Sequence, residues 1–421
     1  MASLRERPPL VAPGEIQRLR EQLAEASEGR RFVLQGGDCA ETFASCTAPA
    51  LQAKLQVLLQ MSLVLTYATR KPVIRIGRIA GQYAKPRSQP TEVVAGRTLP
   101  VYRGDLVNGL EPDPAARVAD PRRMVEAYHH AAASLNYLRA LIEGGFADLH
   151  HPERWDLGFI RASTRRAAYQ RTVDSIVDAI EFMDQIGASS RAALARVELY
   201  TSHEALLLPY EEALTRDVPG AGAFNLGAHL LWIGYRTGGL AGAHVEYVRG
   251  LANPIGIKVG PDSEPAALVE LLGAVDPARE KGRVVLITRL GHSRVAERLP
   301  LLIAAVERSG HRVLWSCDPM HGNTEQLTGG RKTRRVGAIF DELEQSFELH
   351  ARSGSYLGGV HFEMTGEDVT ECIGDAVDPC EADLPRYETA CDPRLNGSQS
   401  LEMAFLIAET LRRGKPVLGR G

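Results

Sequence analysis

Eight short runs rich in β-branched and aromatic residues, at 32–35, 73–76, 198–201, 229–233, 256–259, 284–288, 312–315 and 359–362, constrain this chain more than any other feature. Eight is the number that a closed (β/α)8 barrel needs. Most of the runs precede helical patterns, at 263–275 with Glu264 and Pro265 in its first turn, at 294–309 and at 335–351. Strand followed by helix, repeated, argues for a parallel sheet. The expected fold is α/β, a (β/α)8 TIM barrel making one domain over 1–421, with a short N-terminal segment at 1–30. Between the second and third strands, about 91–196 is too long for a simple connection. With helical patterns at 120–143 and 167–186, it reads as an elaboration for oligomer contacts or for covering a site.

With 44% hydrophobic and 24% charged residues, the composition is that of an ordinary globular protein. A formal charge of −3 gives no reason to expect a nucleic-acid or membrane surface, although local basic clusters can still bind small anions. The N-terminus lacks the apolar stretch of a signal peptide, and the apolar run at 57–67 is interrupted by Gln60 and too short to span, so a cytoplasmic protein is expected. The cysteines at 39, 46, 317, 372, 380 and 391 are too sparse for a disulfide scaffold and form no Cys-x-x-Cys.

If the strands are right, the residues after them form one ring at the C-terminal face, where barrel enzymes place their sites. Cys39 comes first, in Phe32-Val33-Leu34-Gln35-Gly36-Gly37-Asp38-Cys39, where two glycines turn the chain and present a thiol beside the carboxylates of Asp38 and Glu41. Then come Arg78 with Lys85 and Arg87; Ser202, His203 and Glu204; Arg236; Lys258; Arg289; Asp318 and His321; and Glu363. Cys39, His321, Glu363 and a late Asp392 offer sulfur, imidazole and two carboxylates, a mixture suited to Mn²⁺, Co²⁺, Fe²⁺ or Zn²⁺. Arg78, Lys85, Arg87, Arg236, Lys258 and Arg289 carry more positive charge than one carboxylate requires, so phosphate-bearing substrates are expected.

Each of these residues has a plainer reading. A lone Cys after a strand is most often packing, a lone His is surface or satisfied core, and strand-end Arg or Lys is commonly solvated. Their coincidence at one face is what favours a site. His129-His130 and His150-His151 stand at no ligand spacing, and Gly329-Gly330-Arg331-Lys332-Thr333 lacks the frame of a phosphate loop, leaving Lys332 as an anion contact only. Cys317 reads as a packed thiol.

The stretches Leu34-Gln35-Gly36-Gly37-Asp38-Cys39-Ala40-Glu41-Thr42-Phe43, Arg78-Ile79-Ala80-Gly81-Gln82-Tyr83-Ala84-Lys85-Pro86-Arg87-Ser88 and Cys317-Asp318-Pro319-Met320-His321-Gly322-Asn323-Thr324 resemble the class II 3-deoxy-D-arabino-heptulosonate 7-phosphate (DAHP) synthases. Further matches are Thr201-Ser202-His203-Glu204-Ala205, Asn253-Pro254 with Lys258, His361-Phe362-Glu363-Met364-Thr365-Gly366-Glu367 and the stretch from Tyr387 to Asn396. The resemblance implies a barrel enzyme of the shikimate pathway's first step, condensing phosphoenolpyruvate with erythrose 4-phosphate and releasing phosphate. By motif, Cys39, His321, Glu363 and Asp392 would hold a divalent ion such as Mn²⁺ or Co²⁺. Arg78, Lys85, Arg236, Lys258 and Arg289 would hold phosphoenolpyruvate, and Arg87 with Ser88 the aldose phosphate. Lys85, Glu204 and Lys258 are the catalytic candidates, with ion-bound water a further candidate for handling protons. A homo-oligomer, expected as a dimer, and a chorismate mutase partner complete what the resemblance implies.

Three departures stand out. Trp232-Ile233-Gly234-Tyr235-Arg236-Thr237-Gly238 has Tyr235 and Gly238 where the family has Glu and Arg, and Leu290-Gly291-His292 stands where Met-Gly-Asn is expected. Only a short segment precedes Cys39, so weak feedback by aromatic amino acids and a role in secondary metabolism are expected. The competing readings are an aminoDAHP synthase with an amino-substituted acceptor, a catalytically silent regulatory homologue and a metal-dependent hydrolase. Cys391 beside Asp392 adds an expectation that Cys39 and Cys391 lie close enough to oxidise together.

Overall fold

The computed structural model describes residues 2–94, 96–144, 166–185, 197–327, 330–374 and 383–413. Its centre is a closed barrel of eight parallel strands: β1 Phe32–Gly37, β2 Val73–Arg78, β3 Leu199–Glu204, β4 Leu230–Ile233, β5 Ile255–Val259, β6 Val284–Thr288, β7 Leu314–Cys317 and β8 Leu357–Glu363. Each strand pairs with its neighbour in sequence, and β1 closes the ring on β8 through Val33 opposite Gly359 to Gly37 opposite Glu363.

Alternation along the strands sorts side chains into two layers. Phe32, Leu34, Leu231, Ile233, Ile257, Leu286, Trp315, Val360 and Phe362 face outward into the core shared with the surrounding helices. Val33, Ile74, Ile76, Tyr200, Leu230, Trp232, Val285, Ile287 and Leu314 face inward. Helix α1, Pro13–Ser27, adds Leu19, Leu23 and Ala26 to that inner cluster and so closes the N-terminal mouth. With the bottom filled by apolar side chains, the continuing inward positions at the top become Arg78, Glu204, Lys258, Asp318 and Glu363. This parity sets the site.

The eight runs fall on the eight strands, but several limits move. Gly36 and Gly37 complete β1 and do not turn it, pairing with Phe362 and Glu363 on one side and Gly77 and Arg78 on the other. Gly37 adopts φ +147°, and a Cβ there would lie 2.6 Å from the Arg78 carbonyl oxygen, which explains the glycine. Arg78, Ser202, His203 and Glu204 likewise belong to their strands and do not follow them.

Helix α2, Ala48–Thr69, corrects another expectation: at 22 residues it is long and apolar enough to cross a membrane. About two-thirds of its apolar window is nevertheless buried within the fold, as for a core helix. In the stretch between β2 and β3, a hairpin (Thr91–Val94 with Arg97–Pro100) precedes α3, Arg123–Glu143, which starts three residues later than its pattern, and α4, Arg166–Gln185. Tyr169 of α4 stacks on Phe405 at 5.0 Å, which fastens this stretch to the barrel's outer layer. Two more hairpins occur, Thr215–Val218 with Gly222–Asn225 and Thr324–Gln326 with Lys332–Arg334.

Candidate active site

A pocket of about 210 Å³ opens at the C-terminal end of the strands. Arg78, Lys85, Arg87, Ser88, Arg236, Lys258 and Arg289 all line it, together with Glu204, Trp232, Tyr235, His321, Lys332 and Asp392. Every residue read from the sequence as a phosphate contact is therefore on one wall or another. Glu363 is fully buried behind that wall.

The cations differ in how free they are. Arg78 is buried, and its guanidinium donates to the carbonyls of Asp38 (2.9 Å) and Cys39 (3.1 Å) and to Glu363 (3.0 Å), with His361 Nε2 at 2.7 Å. Four of its five N–H groups are thus engaged within the protein, which leaves one for a substrate. Burial holds His361 well below the ordinary imidazole range, helped by Lys258 and Arg78, so its Nε2 accepts from Arg78. Arg236 is freer, touching Ser88 Oγ at 2.7 Å. Arg289 donates to the His321 carbonyl (2.7 Å) and sits over the Tyr235 ring, 5.6 Å from its centroid. Arg87 is held from below by Glu92 of the hairpin after β2, at 3.1 Å.

Donor atoms of His321, Glu363 and Asp392 all lie within 4.8 Å of one another, the one such group among the described residues. Asp318 orients the imidazole: its Oδ2 accepts from His321 Nδ1 at 2.7 Å, which turns Nε2 to within 3.0 Å of Glu363 Oε1. A histidine fixed by a carboxylate on one nitrogen, with the other turned toward the neighbouring donor groups, is the arrangement that metal sites use. Burial alone would raise the Glu363 carboxyl, but His321, Lys85, Arg334 and Arg78 hold it well below the usual range. Asp392 is likewise depressed, its burial outweighed chiefly by Lys85.

Cys39 stands beside this group and is not gathered into it. Its Sγ accepts from the Asp392 backbone N–H at 3.3 Å and lies 3.3 Å from Thr389 Oγ1. Burial pushes the thiol up, yet the Cys391 S–H donated to it and the charge of Lys85 bring it down to about 6. Both cysteines are free. A readily formed thiolate, an imidazole and two carboxylates fit a borderline divalent ion. Asp38 and Glu41, expected beside the thiol, turn away: Asp38 pairs with Lys54 and Arg394, and Glu41 accepts backbone N–H groups from Ala80, Gly81 and Gln82. They fasten the Cys39 loop.

Among the catalytic candidates, burial lowers Lys258 to about 8 even though it pairs with Asp318. Lys85 keeps its charge, because Asp392, Glu363 and Cys39 outweigh the burial that would lower it. Burial raises Glu204, whose Oε1 finds no hydrogen-bond partner among the described residues. Gly234 makes room for it, since a Cβ there would collide with that oxygen.

Of the departures, Tyr235 lines the pocket while Gly238 and His292 do not, His292 turning to Asn323 at 2.8 Å. Lys332 also reaches the site, 2.8 Å from Asp392 Oδ1. His130 stacks on Phe43 at 4.5 Å, away from any ligand group, and Cys317 is buried with its thiol raised by that burial. His150, His151, Gly329 and Cys380 lie outside the described residues. The reading by strand ends named Asp318 without a role and passed over Trp232, Arg334 and His361. Inward parity finds His361, two residues before Glu363.

A family model described as the class-II DAHP synthetase family matches residues 1–408. The chain is 49% identical to a phospho-2-dehydro-3-deoxyheptonate aldolase of Neurospora crassa, across 97% of this chain and 89% of that one. It is 48% identical to the phospho-2-dehydro-3-deoxyheptonate aldolase AroG of Mycolicibacterium smegmatis (96% and 88% covered). It is 47% identical to a phospho-2-dehydro-3-deoxyheptonate aldolase of Streptomyces coelicolor (98% and 92% covered).

Proposed function

The chain belongs to the class-II DAHP synthetase family, and from that premise we propose how its site performs the condensation of phosphoenolpyruvate with erythrose 4-phosphate that opens the shikimate pathway. One observation carries the reading: a close group of His321, Glu363 and Asp392 borders a pocket walled by Arg78, Lys85, Arg87, Arg236, Lys258 and Arg289. We assign Cys39, His321, Glu363 and Asp392 to a divalent ion of the Mn²⁺ or Co²⁺ kind. When bound, it would supply Lewis-acid polarisation of the acceptor aldehyde.

The side chains do the rest by position and charge. Two phosphate-bearing substrates repel each other, and the cationic walls offset that repulsion so that the enol carbon can meet the aldehyde carbon. Lys85, Arg236, Lys258 and Arg289, with the remaining N–H of Arg78, face phosphoenolpyruvate in this reading, and Arg87 and Ser88 extend toward the aldose phosphate. After the carbon–carbon bond forms, water adds at C2 and phosphate leaves. Glu204, its carboxyl raised by burial and its Oε1 without a hydrogen-bond partner among the described residues, is placed to hand a proton on and take one back. Lys258 is the second group able to do so. Erythrose 4-phosphate is the acceptor in this reading, and the altered neighbourhood of Tyr235, which lines the pocket, is what prompts the amino-substituted alternative.

The test is phosphoenolpyruvate consumption with each acceptor, before and after chelation, with product mass recorded. Turnover should need both erythrose 4-phosphate and the ion, and Cys39→Ser or His321→Ala should lose metal-supported turnover. Full activity in chelator, or in either variant at ordinary metal concentration, would refute the ligand assignment.

A further inference from the structure

We propose that Arg334 is a positioning residue that clasps three ligand-bearing segments together, and that divalent-ion affinity depends on its fork shape and not only on its charge. The inference rests on the ligand set assigned above. Arg334 ends the hairpin Thr324–Gln326 with Lys332–Arg334 and is 0% exposed. Each branch of its guanidinium reaches a different stretch of chain. Nε donates to Thr324 Oγ1 at 3.0 Å, three residues beyond His321. Nη1 donates to the carbonyl of Pro393, the residue after Asp392. Nη2 lies 2.8 Å from Glu363 Oε2.

The two oxygens of Glu363 have separate tasks. Oε1 faces His321, Lys85 and Arg78, at 3.0, 2.8 and 3.0 Å, on the side where an ion would sit. Oε2 points back to Arg334. Charge neutralisation alone does not account for this, because Lys85 and Arg78 already lie against the same carboxylate. A third buried cation carries its own desolvation cost. What it adds is a planar fork held by two hydrogen bonds, to Thr324 and Pro393, with its third arm in an ion pair to Glu363, which a lysine ammonium on a flexible stem does not reproduce. The clasp also explains how a site drawn from β8, the loop after β7 and the segment near 392 keeps its donors in register.

The experiment is calorimetric titration of the metal-free full chain with Mn²⁺ alone, which reads affinity without turnover, on wild type, Arg334→Lys and Thr324→Val. Arg334→Lys should weaken Mn²⁺ binding about tenfold or more. Thr324→Val, at an exposed position, should weaken it by a smaller factor in the same direction, with an unchanged metal-free melting point. Wild-type affinity in Arg334→Lys overturns the clasp, since charge would then suffice. Should Arg334→Lys fail to fold, unchanged affinity in Thr324→Val overturns it instead. A wild type that binds no Mn²⁺ removes the ligand set, which is a failure of the earlier reading and is told apart by its absence in every variant.

Discussion

Tyr235 is 38% exposed, yet its ring lies beneath the Arg289 guanidinium and against Gly260, so it serves as a shelf for a cation that the proposed reading assigns to phosphoenolpyruvate. A cation over an aromatic face at such a site contributes about 0.5–1 kcal/mol, or roughly two- to fivefold in binding. Tyr235→Ala should raise KM for phosphoenolpyruvate by about that factor with kcat little changed, and Tyr235→Phe should restore it. An equal loss in Tyr235→Phe would make the hydroxyl responsible and not the ring. The same scale governs Cys39 and Cys391, whose thiols are hydrogen-bonded neighbours. Hydrogen peroxide should join them, two thiols giving one disulfide and two waters, with loss of activity that dithiothreitol reverses. Cys391→Ser should block the reversible part. Reversible loss that persists in that variant would assign the oxidation elsewhere.

At the scale of elements, the barrel strands are legible in the sequence because strands buried on both faces appear as uninterrupted apolar runs. The hairpins are not, since their strands are only three or four residues long and alternate too briefly to stand out. Site residues at strand ends are legible by position, whereas Arg334 and the Asp38 pair with Arg394 are not: Arg394 stands 356 positions from Asp38, Arg334 reaches Glu363 from a separate hairpin, and no local pattern records either. Helix α1 shows a similar long-range dependence. Glu15 accepts from the Ala12 N–H at 2.8 Å and lies 3.7 Å from His229 Nε2, just before β4. His229 is the largest influence holding that carboxyl down at about 2. A depressed acid contributes stability above its unfolded value near 4.5 and loses it as pH falls toward 2. Glu15→Gln should therefore be destabilised at pH 7, with the gap to wild type narrowing below pH 5 in urea titrations. A gap that stays constant down to pH 3 would deny the carboxylate its role.

Across the whole molecule, the assigned ligand set joins the two ends of the fold. Cys39 and Asp392 are 353 positions apart, and the same seam is where β1 meets β8 to close the barrel. An ion held there binds the folded chain and not the unfolded one, so it adds about 2.7 kcal/mol of stability at a hundredfold excess over its Kd. For 421 residues that corresponds to a rise of roughly 3 °C in melting temperature. Mn²⁺ added to chelator-stripped protein should produce that rise, and His321→Ala with Asp392→Asn should abolish it, because removing two donors leaves too few to hold the ion. An equal rise in the double variant would put the ion at another site, and the condensation would then lose its place at the barrel's closing seam.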